Sequence, residues 1–494
     1  MEIFKQVLPV WIALFPIVMT FVIYFVQKRS EKLRNGLAVA TAVITFVSVL
    51  SLFPFIAAGE IIEVQLFSLL PNVMVSFRVD VLSFSLSILS SFVWMLATIY
   101  SLDYMRHEHG GNRYYPILTV TLAGCVGIFL AGDFFTLFLF FELMSLASYV
   151  LVIHEETEEA LRSGYKYLIM TIIGGLALFF GIVITFELGG SVSLGDGVLI
   201  QEPSSLALVA FLAYLVGFGM KAGMFPLHVW LPDAHPVAPS PASALLSGIM
   251  LKTGAYGLLR VIYQVFGMPL LQETGWITIL AVLAVISILL GSAVALTQEE
   301  LKRRLAYSSI GQMGYILLGM TIFTERALIG DIFHIFSHAT MKSTLFLAAG
   351  AIILKTGKRK IKDLGGVGRQ MPLTMAAFTL AALAMIGIPP MNGFVSKLTL
   401  ALGALDARQP FYVVVLLISS LLNALYYLPI VISAFFGKEA EGEKRLAKIN
   451  EAPAKMLVPV VVIAVCTLLL GLVPVNIPFD LSRKAAEFLF RGGF

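Results

Sequence analysis

The stretch LFLFFELMSLASYVLV, residues 137–152, holds one charged side chain, Glu142, in a run of otherwise apolar and hydroxyl-bearing residues. With its flanks it fills 134–153, the ~20 residues an α-helix needs to cross a bilayer core. Similar blocks recur along all 494 residues, and the chain is 59% hydrophobic and only 13% charged. Soluble domains average ~25% charged residues, so this chain lacks the polar surface for a water-soluble body of its size. The fold class that follows is an all-α, multi-pass membrane protein.

Fourteen spans are predicted, near 5–27, 36–58, 79–102, 114–131, 134–153, 165–187, 204–227, 241–266, 275–297, 304–323, 327–354, 372–402, 411–436 and 456–474. No connection between them is long enough for a soluble domain. With the N-terminus outside, 22 Lys and Arg fall in or at the ends of the inward loops, led by 355–369 and 438–455, against seven outward. That asymmetry is what the positive-inside rule requires. The expectation is a cell-membrane protein with both termini outside. The first apolar block lacks a basic leader and a small-residue cleavage site, so it is expected to be a retained helix. The tail 477–494 reads as an interfacial amphipathic helix or a frayed end. No basic run with interleaved aromatics suggests nucleic acid. Cys125 and Cys466 stand far apart in apolar stretches, as buried small hydrophobes do, with no metal spacing.

Ionisable groups deep in the spans carry the functional information. Glu142, Lys221, Lys252, Lys342 and Lys397 lie in the fifth, seventh, eighth, eleventh and twelfth spans. A charge at the centre of a lipid-facing helix costs ~2.5–3.5 kcal/mol, so five would cost on the order of 15 kcal/mol. They are therefore expected to be paired or hydrated along an interior polar path. His334, His338 and Lys342 recur every four residues, which puts them on one helical stripe. Two imidazoles and an amine there suit a proton relay, since histidine titrates near neutral pH; hydrogen bonds gluing helices together are the bland alternative. HxxxH also suits zinc, but Ile335 follows His334, so the HExxH pattern is absent and no metal is expected. Glu142 and Lys221, of opposite sign, form a candidate pair whose opening would free a proton; a static ion pair is the plainer reading.

Gly223 and Pro226 follow Lys221, and Pro389, Pro390 and Gly393 precede Lys397. Proline removes a backbone donor and clashes with the preceding turn, so spans seven and twelve should be broken helices. They lie five spans apart, and an odd offset reverses orientation, which suggests an inverted repeat of spans four to eight and nine to thirteen. The expected organisation is an N-terminal three-helix segment (1–113), two five-helix repeats (114–266 and 267–436), then a last span and tail (437–494).

The stretch KAGMFPLHVWLPDAHPVAPSPASALL (221–246) followed by LKTGAYGLLR (251–260) resembles the signature of the proton-conducting antiporter-like family. That family comprises large subunits of Mrp Na⁺/H⁺ antiporters, antiporter-like subunits of respiratory complex I, and membrane-bound hydrogenase counterparts. FELMSLASY around Glu142, SHATMKSTLFLAAG (337–350) and IGIPPMNGFVSK (386–397) resemble it in the same order. The resemblance implies that Glu142 and Lys221 are the pair that opens and closes during pumping. It implies that Lys252 lies on a central polar axis with the His334 and His338 region, and that Lys397 is the terminal twelfth-helix site. Without a long C-terminal extension, the chain is most similar to the Mrp D type. It also implies further membrane subunits as partners; which of these assemblies the chain belongs to and whether Na⁺ enters it stay open, and no cofactor or metal is expected in it. Whether the whole complex is an oxidoreductase stays open. The alternative function is a quinone- or redox-cofactor-binding subunit; the chain has neither a Cys cluster nor a phosphate-binding glycine loop to favour it.

Overall fold

The computed structural model describes residues 2–70, 73–437, 449–472 and 477–491. Part of the basic stretch 438–455, namely 438–448, lies outside the described residues, as do 473–476 and 492–494. The helices are α1 (Glu2–Val26), α2 (Glu31–Leu50), α3 (Val81–Tyr104), α4 (Gly111–Leu130), α5 (Phe134–Val152), α6 (Glu158–Gly189), α7 (Ser205–Ala222) and the continuous helical run α8 (Ser240–Thr274). Then follow α9 (Ile277–Thr297), α10 (Leu301–Gly319), α11 (Glu325–Thr356), α12 (Pro372–Ile386), α13 (Asn392–Asp406), α14 (Pro410–Phe436), α15 (Ala454–Leu472) and α16 (Ile477–Phe490).

Among the described residues, 12 helical stretches are long and apolar enough to cross a membrane. The two other predicted spans also fall on helix. One is α10, whose first turn carries Lys302, Arg303 and Arg304; the other is not one helix but the half-helices α12 and α13. The protein is a polytopic all-α membrane protein. Its layering follows from which helices carry polar groups. The apolar windows of α8 and α11 are 100% and 89% buried, whereas those of α1, α2 and α15 are only 33% buried. The helices that carry Lys252, His334, His338 and Lys342 thus form the interior, and α1, α2 and α15 lie at its periphery.

The connections separate into two faces. On the first, Arg34 reaches Asn112, Arg113 donates to the His154 carbonyl (2.7 Å), and Arg369 donates to that of Gly437 (2.7 Å). On the second, the Gly132 N–H meets the Ser76 carbonyl (2.8 Å), Leu199 meets Gln264 (3.2 Å), and Arg326 pairs with Asp406 (3.1 Å). Each face gathers every second loop, as alternating spans demand. Lys5 pairs with Glu60 and Phe490 packs on Tyr263, so the start of α1 and the end of α16 share the second face.

Two features depart from the sequence expectation, and a third decides between the alternatives it left open. Two antiparallel strands, β1 (Ile62–Leu70) and β2 (Val73–Val79), occupy what reads as a plain loop. A seven-residue helix, Leu231–Val237, continues α7 beyond its break. The tail is a helix rather than a frayed end: α16 buries Leu481, Ser482, Ala485, Ala486 and Leu489, one stripe at helical spacing, and turns Arg483 outward to Asp480 and Glu487.

Candidate functional site

Lys221 sits in the last turn of α7, which ends because Gly223 adopts the left-handed conformation (φ 69°). Its ammonium is fully buried and donates to the Tyr167 hydroxyl (2.6 Å) and to Ser145 (3.3 Å) and Ser148 (3.5 Å). Ser148 and Tyr167 are themselves joined at 2.6 Å. Glu142 lies on the same stripe of α5 as Ser145, one turn away, yet no ion pair joins it to Lys221 among the described residues. Its carboxylate rests on the bare backbone of Gly175 in α6, where a Cβ would collide with Oε1, and Oε1 has no hydrogen-bond partner. The pair expected from sequence is therefore open here. The closed, fully buried ion pair is a different one: Arg260 Nη2 meets both oxygens of Asp80 at 2.8 and 2.7 Å, on the second face.

At the centre, Lys252 donates to His338 Nδ1 (2.9 Å) and to the Ser247 carbonyl (2.6 Å). That carbonyl is free because Leu246–Met250 is a π-helical turn: the Leu251 N–H reaches back to Leu246 rather than Ser247. The Ser247 hydroxyl bonds Ser309 of α10 at 2.7 Å. His338 and His334 are stacked nearly parallel with ring centres 6.2 Å apart, and His334 Nδ1 bonds Ser396, the neighbour of Lys397 (2.9 Å). Lys342, on the same helix, leaves this line and caps the Leu305 carbonyl (2.8 Å), with Ser308 and Tyr427 completing its shell.

Lys397 closes the run. α12 ends at Gly387 (φ 91°), the chain turns through Pro389 and Pro390, and α13 begins so close to α12 that a Cβ on Gly393 would strike the Ala384 carbonyl. The Lys397 ammonium donates to the last carbonyls of α12, Met385 (2.6 Å) and Ile386 (3.3 Å), and to Ser420 (3.3 Å). It also lies 4.9 Å from the centre of the Tyr315 ring, which is 5.5 Å from that of His334. A cation at a helix C-terminus is favoured by the dipole and by the unpaired carbonyls there.

Sequence reasoning missed several members. Ser145 and Ser148 were signalled by their i+3 and i+6 spacing from Glu142. Lys302, just ahead of the span predicted at 304–323, is buried and caps the short helix Leu231–Val237 through the carbonyls of Pro236 (3.3 Å) and Ala238 (2.6 Å). Beside it a cavity of about 630 Å³ opens on the first face, lined by Glu108, Glu155, Glu300, Lys302 and Arg303. Burial and the neighbouring Glu108 push the Glu155 carboxyl up from its usual range, so it takes up protons more readily than a free carboxylate. His235 is fully buried against Phe346 with neither ring nitrogen bonded.

These features define a class: a helical membrane protein whose interior holds a line of buried amines and imidazoles joined by hydroxyls and carbonyls. The profile described as "NADH:quinone oxidoreductase/Mrp antiporter, TM" matches residues 131–423, and that of "NADH-Ubiquinone oxidoreductase (complex I), chain 5 N-terminus" matches 70–115. The chain belongs to the NADH:quinone oxidoreductase/Mrp antiporter transmembrane family. It is 33% identical to NADH-quinone oxidoreductase subunit N of Desulforudis audaxviator, over 94% of this chain and 95% of that one. It is 31% identical to the D-type component of the Na(+)/H(+) antiporter of Alkalihalophilus pseudofirmus, over 83% of this chain and 82% of that one. The fold matches a chain of the Mrp complex from Dietzia sp. with a TM-score of 0.88 at 24% identity, covering 98% of this chain and 97% of that one.

Proposed function

We propose that this chain is a proton-translocating, antiporter-like subunit of a multi-subunit membrane complex of the Mrp type or a relative of complex I. The observation that carries this reading is the Lys252–His338 hydrogen bond at 2.9 Å, continued through His334 to Ser396 at 2.9 Å, on the most buried helices. An imidazole accepts a proton at one ring nitrogen and releases one at the other, so His338 would take the proton that Lys252 gives up and pass it, through water between the two stacked rings, to His334. Protons would be collected at the Glu108–Glu155 vestibule, on the face that the charge asymmetry of the loops makes the inner one. Both termini then lie outside.

Glu142 and Lys221 would act as the gate. When they approach, the lysine keeps its proton; when they part, as now, the Ser145–Ser148–Tyr167 hydroxyls offer it a way out. Lys397 would be the far station. Matching breaks after Lys221 and before Lys397 support the inverted repeat of 114–266 and 267–436. Kinship with a component of a Na⁺/H⁺ antiporter supports coupling to sodium movement elsewhere in the complex, and the fold shared with a chain of the Mrp complex supports further membrane subunits as partners.

The test is a pH-gradient assay on vesicles carrying the assembled complex. With Glu142→Ala or Lys221→Ala, assembly should persist and the gradient should vanish. A normal gradient in either variant would refute the gate.

A further inference from the structure

Asp331 lies on α11 one turn from His334, towards the second face. It is 0% exposed, and neither carboxylate oxygen has a hydrogen-bond partner. Its Cβ packs on Gly319 so closely that a Cβ added to that glycine would come within 2.6 Å of it. The Tyr263 hydroxyl is also buried and unbonded, and its ring packs on Phe323, just ahead of α11, and on Phe490 of α16. A bare carboxylate cannot persist in an apolar interior without a donor or counter-charge. It holds a proton or a hydrated cation.

His334 links this group to the central line. Its Nδ1 is committed to Ser396 on the Lys397 side, and its Nε2 has no partner. Residues three apart on a helix are neighbours, separated by ~4.5 Å of rise, so Asp331 lies on the same side of α11 as that imidazole. Gln312 of α10, one turn from Tyr315, is likewise buried with both amide atoms unbonded. Gly319 packs on Asp331 and Tyr315 on His334, so Gln312 lies on the first-face side of His334 and Asp331 on the other; unbonded buried groups on both sides of that imidazole are what internal water serves.

We infer that Asp331 and Tyr263 form a second proton-binding station, reached from His334 Nε2 through water and leading to the second face beneath α16, apart from the Lys397 branch. The step balances simply: the imidazolium loses its Nε2 proton through water, and the Asp331 carboxylate gains it. A proton fits better than Na⁺, because one carboxylate and one phenol are too few oxygens for a hard metal cation. The phenyl rings of Phe479 and Phe490 in α16 pack on Phe333 (5.2 Å) and Tyr263 (6.0 Å), so α16 lies over this end of the path. The inference rests on the proton-translocation reading, and its test separates the two.

In vesicles carrying the assembled complex, Asp331→Asn should slow proton transfer about tenfold or more, and Tyr263→Phe several-fold, with Glu142→Ala as the control. The infrared spectrum of the complex should show a protonated-carboxyl band that Asp331→Asn removes. If Asp331→Asn does not assemble, Tyr263→Phe decides, since it deletes only an unbonded hydroxyl. Unchanged transfer in Asp331→Asn or, failing assembly, in Tyr263→Phe, beside loss in Glu142→Ala, overturns the second station alone. Unchanged transfer in Glu142→Ala as well overturns the translocation reading itself. A rate in Asp331→Asn that falls only when Na⁺ is present overturns the choice of proton.

Discussion

The two broken helices solve one problem with different chemistry. At the first, Lys221 ends α7 and gives its protons to side-chain hydroxyls, with Glu142 across the same polar patch. At the second, Lys397 begins in α13 and reaches back to the backbone carbonyls that end α12. Hydroxyls both accept and donate, so the Lys221 shell can hand a proton onward. Carbonyls only accept, so the Met385 and Ile386 carbonyls hold the Lys397 ammonium in place, with Ser420 a single hydroxyl beside them. Lys302, on the Pro236 and Ala238 carbonyls, repeats the second pattern, while Lys252 adds His338 to the Ser247 carbonyl and Lys342 adds the Ser308 and Tyr427 hydroxyls to that of Leu305. The break after α12 and the π-turn in α8 free carbonyls, and Lys397 and Lys252 settle on them. Lys221, which meets hydroxyls alone, is the exception, and that suits it to the gating role proposed for it.

The contrast can be broken by substitution. Lys221→Ala should lower proton transfer by at least about a hundredfold while leaving thermal stability nearly unchanged, because Ser148 and Tyr167 already bond each other. Equal loss of stability at both sites would erase the distinction. Lys397→Ala should slow transfer by roughly tenfold. It should also lower the melting temperature of the complex, since unpaired Met385 and Ile386 carbonyls cost ~1–3 kcal/mol. Tyr167→Phe removes the shortest acceptor of Lys221 while keeping the ring, and should slow transfer several-fold; an unchanged rate would take the phenol out of the gate. The smallest effect is expected for Gly175→Ala. It crowds the Glu142 carboxylate, costs ~1–3 kcal/mol by overpacking, and should shift transfer by a few-fold.

Much of this was legible in the sequence. A lone charge in an apolar run announces itself, because lipid penalises it heavily, and so Glu142, Lys221, Lys252, Lys342 and Lys397 stood out. Glycine and proline marked both breaks for equally local reasons. The partners did not stand out. Ser145, Ser148, Ser247, Ser309 and Ser396 are of a type that membrane helices tolerate anywhere, since a hydroxyl can bond its own preceding turn. Asp331 had a signal, its i−3 spacing from His334, but it sits near the end of its span, where a carboxylate draws no notice. The hairpin 62–79 escaped because hydropathy windows of helical length average over strands of seven and nine residues. That Glu142 and Lys221 stand apart is a tertiary fact: the bare surface of Gly175 receives the carboxylate, and only packing reveals that.

The central claim is that protons run through the buried amine and imidazoles of α8 and α11. Lys252→Met keeps the side chain's length and removes its charge and donors. The measurement is the initial rate of pH-gradient formation in vesicles carrying this variant, normalised to assembled complex. The account predicts a gradient lowered at least about a hundredfold. A rate equal to that of the unmodified protein would contradict it.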